Sequence, residues 1–295
     1  MSIFDGKPID ANKKEANKII LSASRMTDMP KYYPKDLIDE VEKRYVKGMN
    51  IHTLVLWTKH PRALLANPLL EYLEKLKKRN IPLYIQLTIT GLGEMILGTK
   101  KDGKPLVLEP NSPPYIDSLD AIPSLIQLVE NPQRIRLRID PIVRIIDFNQ
   151  KIFNSLFLFE NIVEKASGYG IKHFSFSFLE NGMHRKVDKR FKDLGCTIYP
   201  PSNDEREKTK VWLKKLEDKY NILISACCVQ GFPVTRCIDG ELLSQLHPDK
   251  EVTSLQQPKK RALCGCTHSI DIGGWPPKKC YTGCDYCYAN SQYID

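Results

Sequence analysis

The sequence predicts an α/β protein folded as a single TIM-like (β/α) barrel over residues 1–295, with residues 227–295 carrying a cysteine-rich region. Three observations lead there. Short β-rich runs alternate with amphipathic helical stretches, a pattern that asks for parallel strands joined by crossover helices. The strands are apolar at nearly every position or carry polar residues toward one face, as strands covered on both sides do. Polar and metal-ligating residues gather at the C-terminal ends of those strands, where barrels place their chemistry.

In chain order, residues 19–24 (Ile-Ile-Leu-Ser-Ala-Ser) read as the first strand and Pro34 to Lys47 as a helix. Residues 53–58 give the second strand and Pro68 to Arg79 the second helix, followed by a strand over 83–90. A polar segment reaches Pro114, and a helix spans about 116 to 130. Residues 135–142 form strand four, 149–166 a helix, 173–178 strand five, 208–219 a helix and 221–228 strand six. The seventh strand is Ser269 to Gly273, just before the last cysteines. The strand ends deliver Arg25, Asp28, Lys59, Arg138 and Asp140, together with Cys227 and Cys228.

The chain carries a formal charge of +9. Such a balance favours phosphate-rich partners, although much of the excess sits on helix faces such as Glu71 to Arg79, where a solvated basic surface accounts for it. No apolar run approaches the roughly 20 residues of a membrane span, and the start lacks the basic and apolar regions of a signal peptide. The expectation is a cytoplasmic protein with no membrane partner. In a reducing compartment, nine cysteines are metal ligands or reactive thiols rather than disulfides. No nucleophile elbow, Walker loop or dinucleotide glycine fingerprint is present, so hydrolase, kinase and dehydrogenase readings have no support.

The sharpest motif is Cys280-Tyr-Thr-Gly-Cys284-Asp-Tyr-Cys287. Short cysteine loops hold [4Fe–4S] clusters through thiolates. Three local thiolates would leave one iron open to a small molecule bearing an amine and a carboxylate. Four further cysteines, Cys228, Cys237, Cys264 and Cys266, make the complement for a second cluster. Adjacent residues at a strand end point to opposite sides, so one of Cys227 and Cys228 faces the site; Cys228 is the assignment and Cys227 the alternative. A structural zinc on Cys264, Cys266, Cys284 and Cys287 is the plainer reading. Cys196 reads as a small buried residue.

The CxxxCxxC spacing, with an aromatic before the last cysteine and Cys-Tyr-Ala after it, resembles the cluster loop of radical S-adenosylmethionine (SAM) enzymes, most of all their spore-photoproduct-lyase-like branch. Ser24-Arg-Met-Thr-Asp28, Trp57-Thr-Lys59, the 87–90 strand with Leu108-Glu-Pro110, and Arg138-Ile-Asp-Pro-Ile142 resemble successive pieces of that barrel. There the segments follow the cluster loop, whereas here they precede it. A circular permutation reconciles the two, with a helix expected over Pro8 to Lys18. The same ordered elements resemble a bacterial family known only as a domain of unknown function, DUF1848.

The resemblance implies two [4Fe–4S] clusters, reductive cleavage of SAM and an external electron donor such as flavodoxin or ferredoxin. It also implies a weak lean toward a nucleic-acid or nucleotide substrate. Arg25, Lys59 and Arg138 would neutralise a carboxylate or phosphate, and Asp28, Glu109 and Asp140 would accept from a ribose or ammonium group. Inter-strand ion pairing, such as Arg138 with Asp28, is the plainer account of each. The Gly-Gly-Glu segment that binds the SAM amino group in many such enzymes is absent; Ser24 to Asp28 stands in its place. A non-radical iron–sulfur redox or sensor protein and a zinc-stabilised nucleic-acid-binding module are the alternatives.

Overall fold

The computed structural model describes residues 18–258, 262–289 and 291–292. Seven parallel strands form its main sheet: β1 (Ile19–Ala23), β2 (Ile51–Thr58), β3 (Leu83–Thr88), β4 (Ile135–Ile142), β5 (His173–Phe178), β6 (Leu223–Ala226) and β7 (Ile270–Asp271). The longer helices are α1 (Pro34–Val46), α2 (Leu69–Lys78), α3 (Tyr115–Asp120), α4 (Ile122–Val129), α5 (Phe159–Gly168), α6 (Arg185–Leu194), α7 (Asn203–Tyr220) and α8 (Gly240–Leu246). None of the described helices is long and apolar enough to cross a membrane.

The expected closed barrel is not what the strands build. They run β6-β5-β4-β3-β2-β1-β7, an open sheet whose two edges share no ladder. The physical reason lies in the edges. β6 has four residues and β7 two, too few to pair across the remaining gap. Irregular segments occupy it: Ala226 N donates to Pro233 O (2.7 Å), Gly265 N to Thr235 O (3.3 Å) and Thr267 N to Ile238 O (2.8 Å). Those segments carry Cys237, Cys264 and Cys266 into the space that a further strand would fill. The last strand does lie beside the first, with Leu21 opposite Ile270. Gly273 makes this approach feasible, because a Cβ there would come within 2.4 Å of Ser24 Cβ. The Pro8 to Lys18 helix expected from the permutation falls, but for Lys18, outside the described residues.

Strand alternation sorts the core into two layers. Leu54, Leu56, Leu83, Ile85 and Leu87 face the helices, where α2 offers Leu69, Leu73 and Leu76. Ile20, Val55, Trp57 and Tyr84 face the other way, onto Cys237, Ile238, Leu242, Leu243 and Cys266. Each fully buried leucine contributes about 2 kcal/mol. Both faces are covered, which explains the continuous apolar runs. The helix expected over 149–166 starts late: Ile152–Asn154 is a strand in a small antiparallel sheet, and α5 begins at Phe159. The helix expected from 208 begins at Asn203, where Ser202 and Glu205 form a capping box that satisfies the first amides.

Two histidines are folded in neutral. Burial lowers His52 to about 4, against partial compensation from its hydrogen bond to Glu251 O, and burial with the Arg136 charge lowers His173 to about 4. Between their unfolded value near 6.5 and about 4, the unfolded chain binds more protons, so stability is intact above the upper limit and falls with pH through this window. Protonation is expected to cost up to about 3 kcal/mol per histidine. Urea titrations at pH 7 and 4.5 check this: the midpoint drops at acid pH, and His52→Asn shrinks the drop. An unchanged midpoint contradicts it.

Candidate functional site

The C-terminal ends of β1, β2 and β3 converge on one hydrogen-bond network. Asp28 does not face an open mouth: it caps a one-turn helix at Lys31 N (3.2 Å) and accepts from Thr58 Oγ1 (2.9 Å) and Lys59 N (2.8 Å). Its role is to fix the end of β2 and so aim Lys59. Lys59 Nζ reaches Glu109 at 3.0 Å, and Glu109, 1% exposed, also accepts from Thr90 and from the hydroxyl of Tyr286. Burial lifts Glu109, yet the Lys59 charge and these donors hold it below the usual carboxylate range. Burial likewise depresses Lys59, but Glu109 and then Cys284 keep it above its ordinary value. The ion pair expected between Arg138 and Asp28 is not made; Arg138 pairs with Asp140.

The Cys280–Cys287 loop is pinned over this network from several sides. Asn111 Nδ2 donates to Tyr281 O (2.9 Å) and Asp285 N to Leu108 O (2.9 Å). Gln292 N donates to Cys280 O (2.9 Å), and Cys287 N to Cys284 O (3.0 Å). Gly283 has φ +74°, a left-handed turn that a side chain would strain. His60 Nε2 lies 3.1 Å from Thr282 Oγ1 and 3.3 Å from the hydroxyl of Tyr32. Most telling is Arg190 of α6, whose guanidinium donates to the carbonyls of Cys284 (3.2 Å), Asp285 and Cys287 (2.6 Å). Sequence reasoning missed Arg190, His60 and Tyr32. The Tyr-Cys step of the motif was the one available signal for Tyr286.

Within the loop the thiols interact with one another. Burial pushes Cys284 well up, opposed by Lys59, with Cys287 and Cys280 adding to the rise; burial also raises Cys287. Burial therefore keeps these thiols protonated in the free loop, opposed by the Lys59 charge, and ligation to a metal would remove the protons outright.

A second sulfur group forms where the sheet fails to close. Cys227 and Cys266 both hydrogen-bond Cys237, and Cys266 interacts with Cys264. The Cys227 and Cys266 thiols, with the Arg138 charge behind them, hold Cys237 well below the ordinary thiol value. The member from strand six is therefore Cys227. Cys228, the member chosen from the sequence, is exposed at φ +55°. β6 ends at Ala226, so the alternation rule no longer applies at that pair.

Charge surrounds this quartet on β4. Arg138 lies 3.0 Å from Cys237 Sγ and pairs with Asp140, which also accepts from Ser177. Arg136, 5% exposed, bonds only neutral hydroxyls, among them those of Ser225 (3.5 Å) and Thr235 (3.3 Å). Among the described residues no carboxylate pairs with it. Burial would depress Arg136, but Tyr84, Cys237 and Asp239 keep it above its ordinary value, and further thiolates there would add to that counter-charge. Arg25, exposed, and Arg138 both approach the Trp57 ring, at 5.6 and 5.1 Å. Trp57 is itself buried, as expected of a packing residue.

Among the described residues, no group of three Cys, His, Asp or Glu side chains stands in the geometry of a metal cage. The fit to an iron–sulfur group therefore rests on donor chemistry: three thiols beside Lys59, and four beside two buried guanidiniums. Asp140 acts electrostatically on both Lys59 and Cys227 and so links the charges beside the two sulfur groups. The interactions of Cys266 run to Cys237 and Cys264, and those of Cys284 to Cys287 and Cys280, which is not the zinc grouping considered above.

No curated protein matches the sequence. The sequence model of a family described as a domain of unknown function, DUF1848, matches residues 20–289, and the chain belongs to that family.

Proposed function

We propose that this member of the DUF1848 family is an iron–sulfur enzyme of the radical SAM type, acting from an open seven-stranded sheet. The observation that supports the reading is the pair of sulfur groups, one pinned by Arg190 beside Lys59 and one against Arg138. Cys280, Cys284 and Cys287 would hold the first [4Fe–4S] cluster, and Cys227, Cys237, Cys264 and Cys266 the second. When bound and reduced by an external donor, a three-thiolate cluster would supply the one electron that breaks the sulfonium C5′–S bond of SAM, releasing methionine and a 5′-deoxyadenosyl radical.

The chain's own residues have separable tasks. Glu109 fixes Lys59, whose ammonium would hold the carboxylate end of a ligand at the loop. Arg138 and Asp140 offer a donor fork and an acceptor for the substrate. Exposed Arg25 and the net charge lean the substrate class toward nucleotide or nucleic acid. A one-electron donor of the flavodoxin or ferredoxin type is the implied partner. All nine cysteines are free of disulfides, which suits the cytoplasm.

Anaerobic reconstitution tests this. About eight irons per chain are expected for two clusters, with 5′-deoxyadenosine formed on adding SAM and dithionite. Cys227→Ser should lose about half of that iron, whereas Cys228→Ser should keep it. The sulfur quartet is also a complete four-thiolate zinc set, so one zinc with four irons would revise the second site alone. Iron without SAM binding or cleavage would favour a non-radical redox protein, and zinc without iron would end the proposal.

A further inference from the structure

A cavity of about 210 Å³ lies apart from the sulfur groups, between the ends of β4 and β5, the small antiparallel sheet and the first turns of α7. Ile142, Leu156, Phe178 and Pro201 make its walls apolar, and Arg144 and Lys208 bring positive charge to it. Arg144 is 9% exposed, with its guanidinium held at one end and across one face. One terminal nitrogen donates to Glu205 at 2.7 Å, and the group lies over the Tyr199 ring at 4.4 Å. Its Nε is buried and has no hydrogen-bond partner. A buried donor left unmade is unfavourable, so native structures satisfy nearly all of them. Here the missing acceptor belongs beside a cavity.

Charge fixes the sign of the occupant. Glu205 is already saturated, because Arg144 and the Ser202 amide hold its carboxyl at about 2. Lys208 pairs with Asp204 at 2.6 Å, but both side chains are about three-quarters exposed, and such a pair is weak in water. Size fixes the class. The volume falls below that of most drug-sized sites, so a ligand wholly contained in it is small.

We propose that this cavity binds a small organic monoanion with an apolar body, an aromatic or short-chain carboxylate. The carboxylate oxygen completes the Arg144 Nε hydrogen bond and the apolar body rests on Phe178, Leu156 and Ile142. The site does not depend on the iron–sulfur reading.

Benzoate is the probe, with benzyl alcohol as its neutral counterpart, titrated into the full chain by NMR and calorimetry. Saturable benzoate binding with a dissociation constant of about 1 mM or tighter is expected. Benzyl alcohol should bind at least about tenfold more weakly, because a charge-assisted hydrogen bond is lost. Arg144→Lys should weaken benzoate about tenfold, for it keeps the charge but removes the fork. Since Arg144 also supports the α7 cap, Leu156→Trp provides a second arm: it fills the cavity and leaves every charge, and should abolish binding with the unfolding temperature little changed. Absence of saturable benzoate binding, equal affinity for benzyl alcohol, or unaltered binding by Leu156→Trp would each overturn the proposal.

Discussion

Replacing Arg190 with methionine is expected to release the cysteine loop from α6 and to cost about 2 kcal/mol, the range for hydrogen bonds to a charged group. One guanidinium satisfies three carbonyls there, at Cys284, Asp285 and Cys287. The loop's own amide and Ser291 reach only the Cys284 carbonyl, so Arg190 is the side chain that serves all three. Without the fork, water takes the carbonyls and the loop gains conformational freedom. Hydrogen exchange in the metal-free protein gives the check: amides of residues 284–287 should exchange at least about tenfold faster, as expected for a local opening eased by more than about 1.4 kcal/mol. Arg190→Lys should recover only part of the protection, since an ammonium cannot bridge three acceptors in one plane. Unchanged exchange in Arg190→Met would mean that the remaining anchors, Asn111 and Gln292, hold the loop alone.

Why Arg190 escaped the sequence is instructive. Its helix, residues 185–194, places Val187, Phe191 and Leu194 on one stripe at helical spacing, but the carbonyls that Arg190 reaches lie 94 to 97 residues further on, a contact that local pattern does not encode. By contrast, β1 to β5 were legible because both faces are covered, and continuous apolar runs bounded by turns left little choice. Convergence of Asp28, Lys59, Arg138 and Asp140 at one end was legible as well, because parallel strands all present their C-terminal ends on the same side. The roles within that convergence were not. Asp28 turned out to cap and position, since its acceptors are used up by Thr58 and Lys59.

Closure of the sheet was the larger miss. Seven strands suggested a ring, but a ring depends on edge-to-edge pairing between β6 and β7, which local pattern does not encode. The chain places cysteines at that gap, with Cys237 against Arg138 and Cys266 against Cys237. The same irregularity explains why Cys227 and not Cys228 joins the quartet. Once regular strand ends at Ala226, the left-handed backbone at Cys228 sets the direction of each side chain. The open edge of the sheet and the gathering of Cys227, Cys237 and Cys266 are thus two aspects of one local structure.

Lys59→Met is expected to give the largest stability loss of any single change at the mouth, about 3–5 kcal/mol, the range for removing one partner of a buried ion pair. Glu109 would be left buried with its negative charge opposed by hydroxyls, those of Thr90 and Tyr286 foremost. Most of that loss is the cost of the stranded carboxylate rather than the worth of the pair. The double variant Lys59→Met with Glu109→Gln should therefore recover more than half of it, because the amide keeps an acceptor for Tyr286 and carries no charge. Denaturant unfolding of the metal-free protein gives all four corners of the cycle. Additive losses would show that Lys59 and Glu109 act independently and that Lys59 is held by Asp28 and the loop instead. If the double variant regains stability but loses SAM binding after reconstitution, the pair is separable into scaffold and ligand contact: the carboxylate fixes the ammonium, and the ammonium meets the ligand.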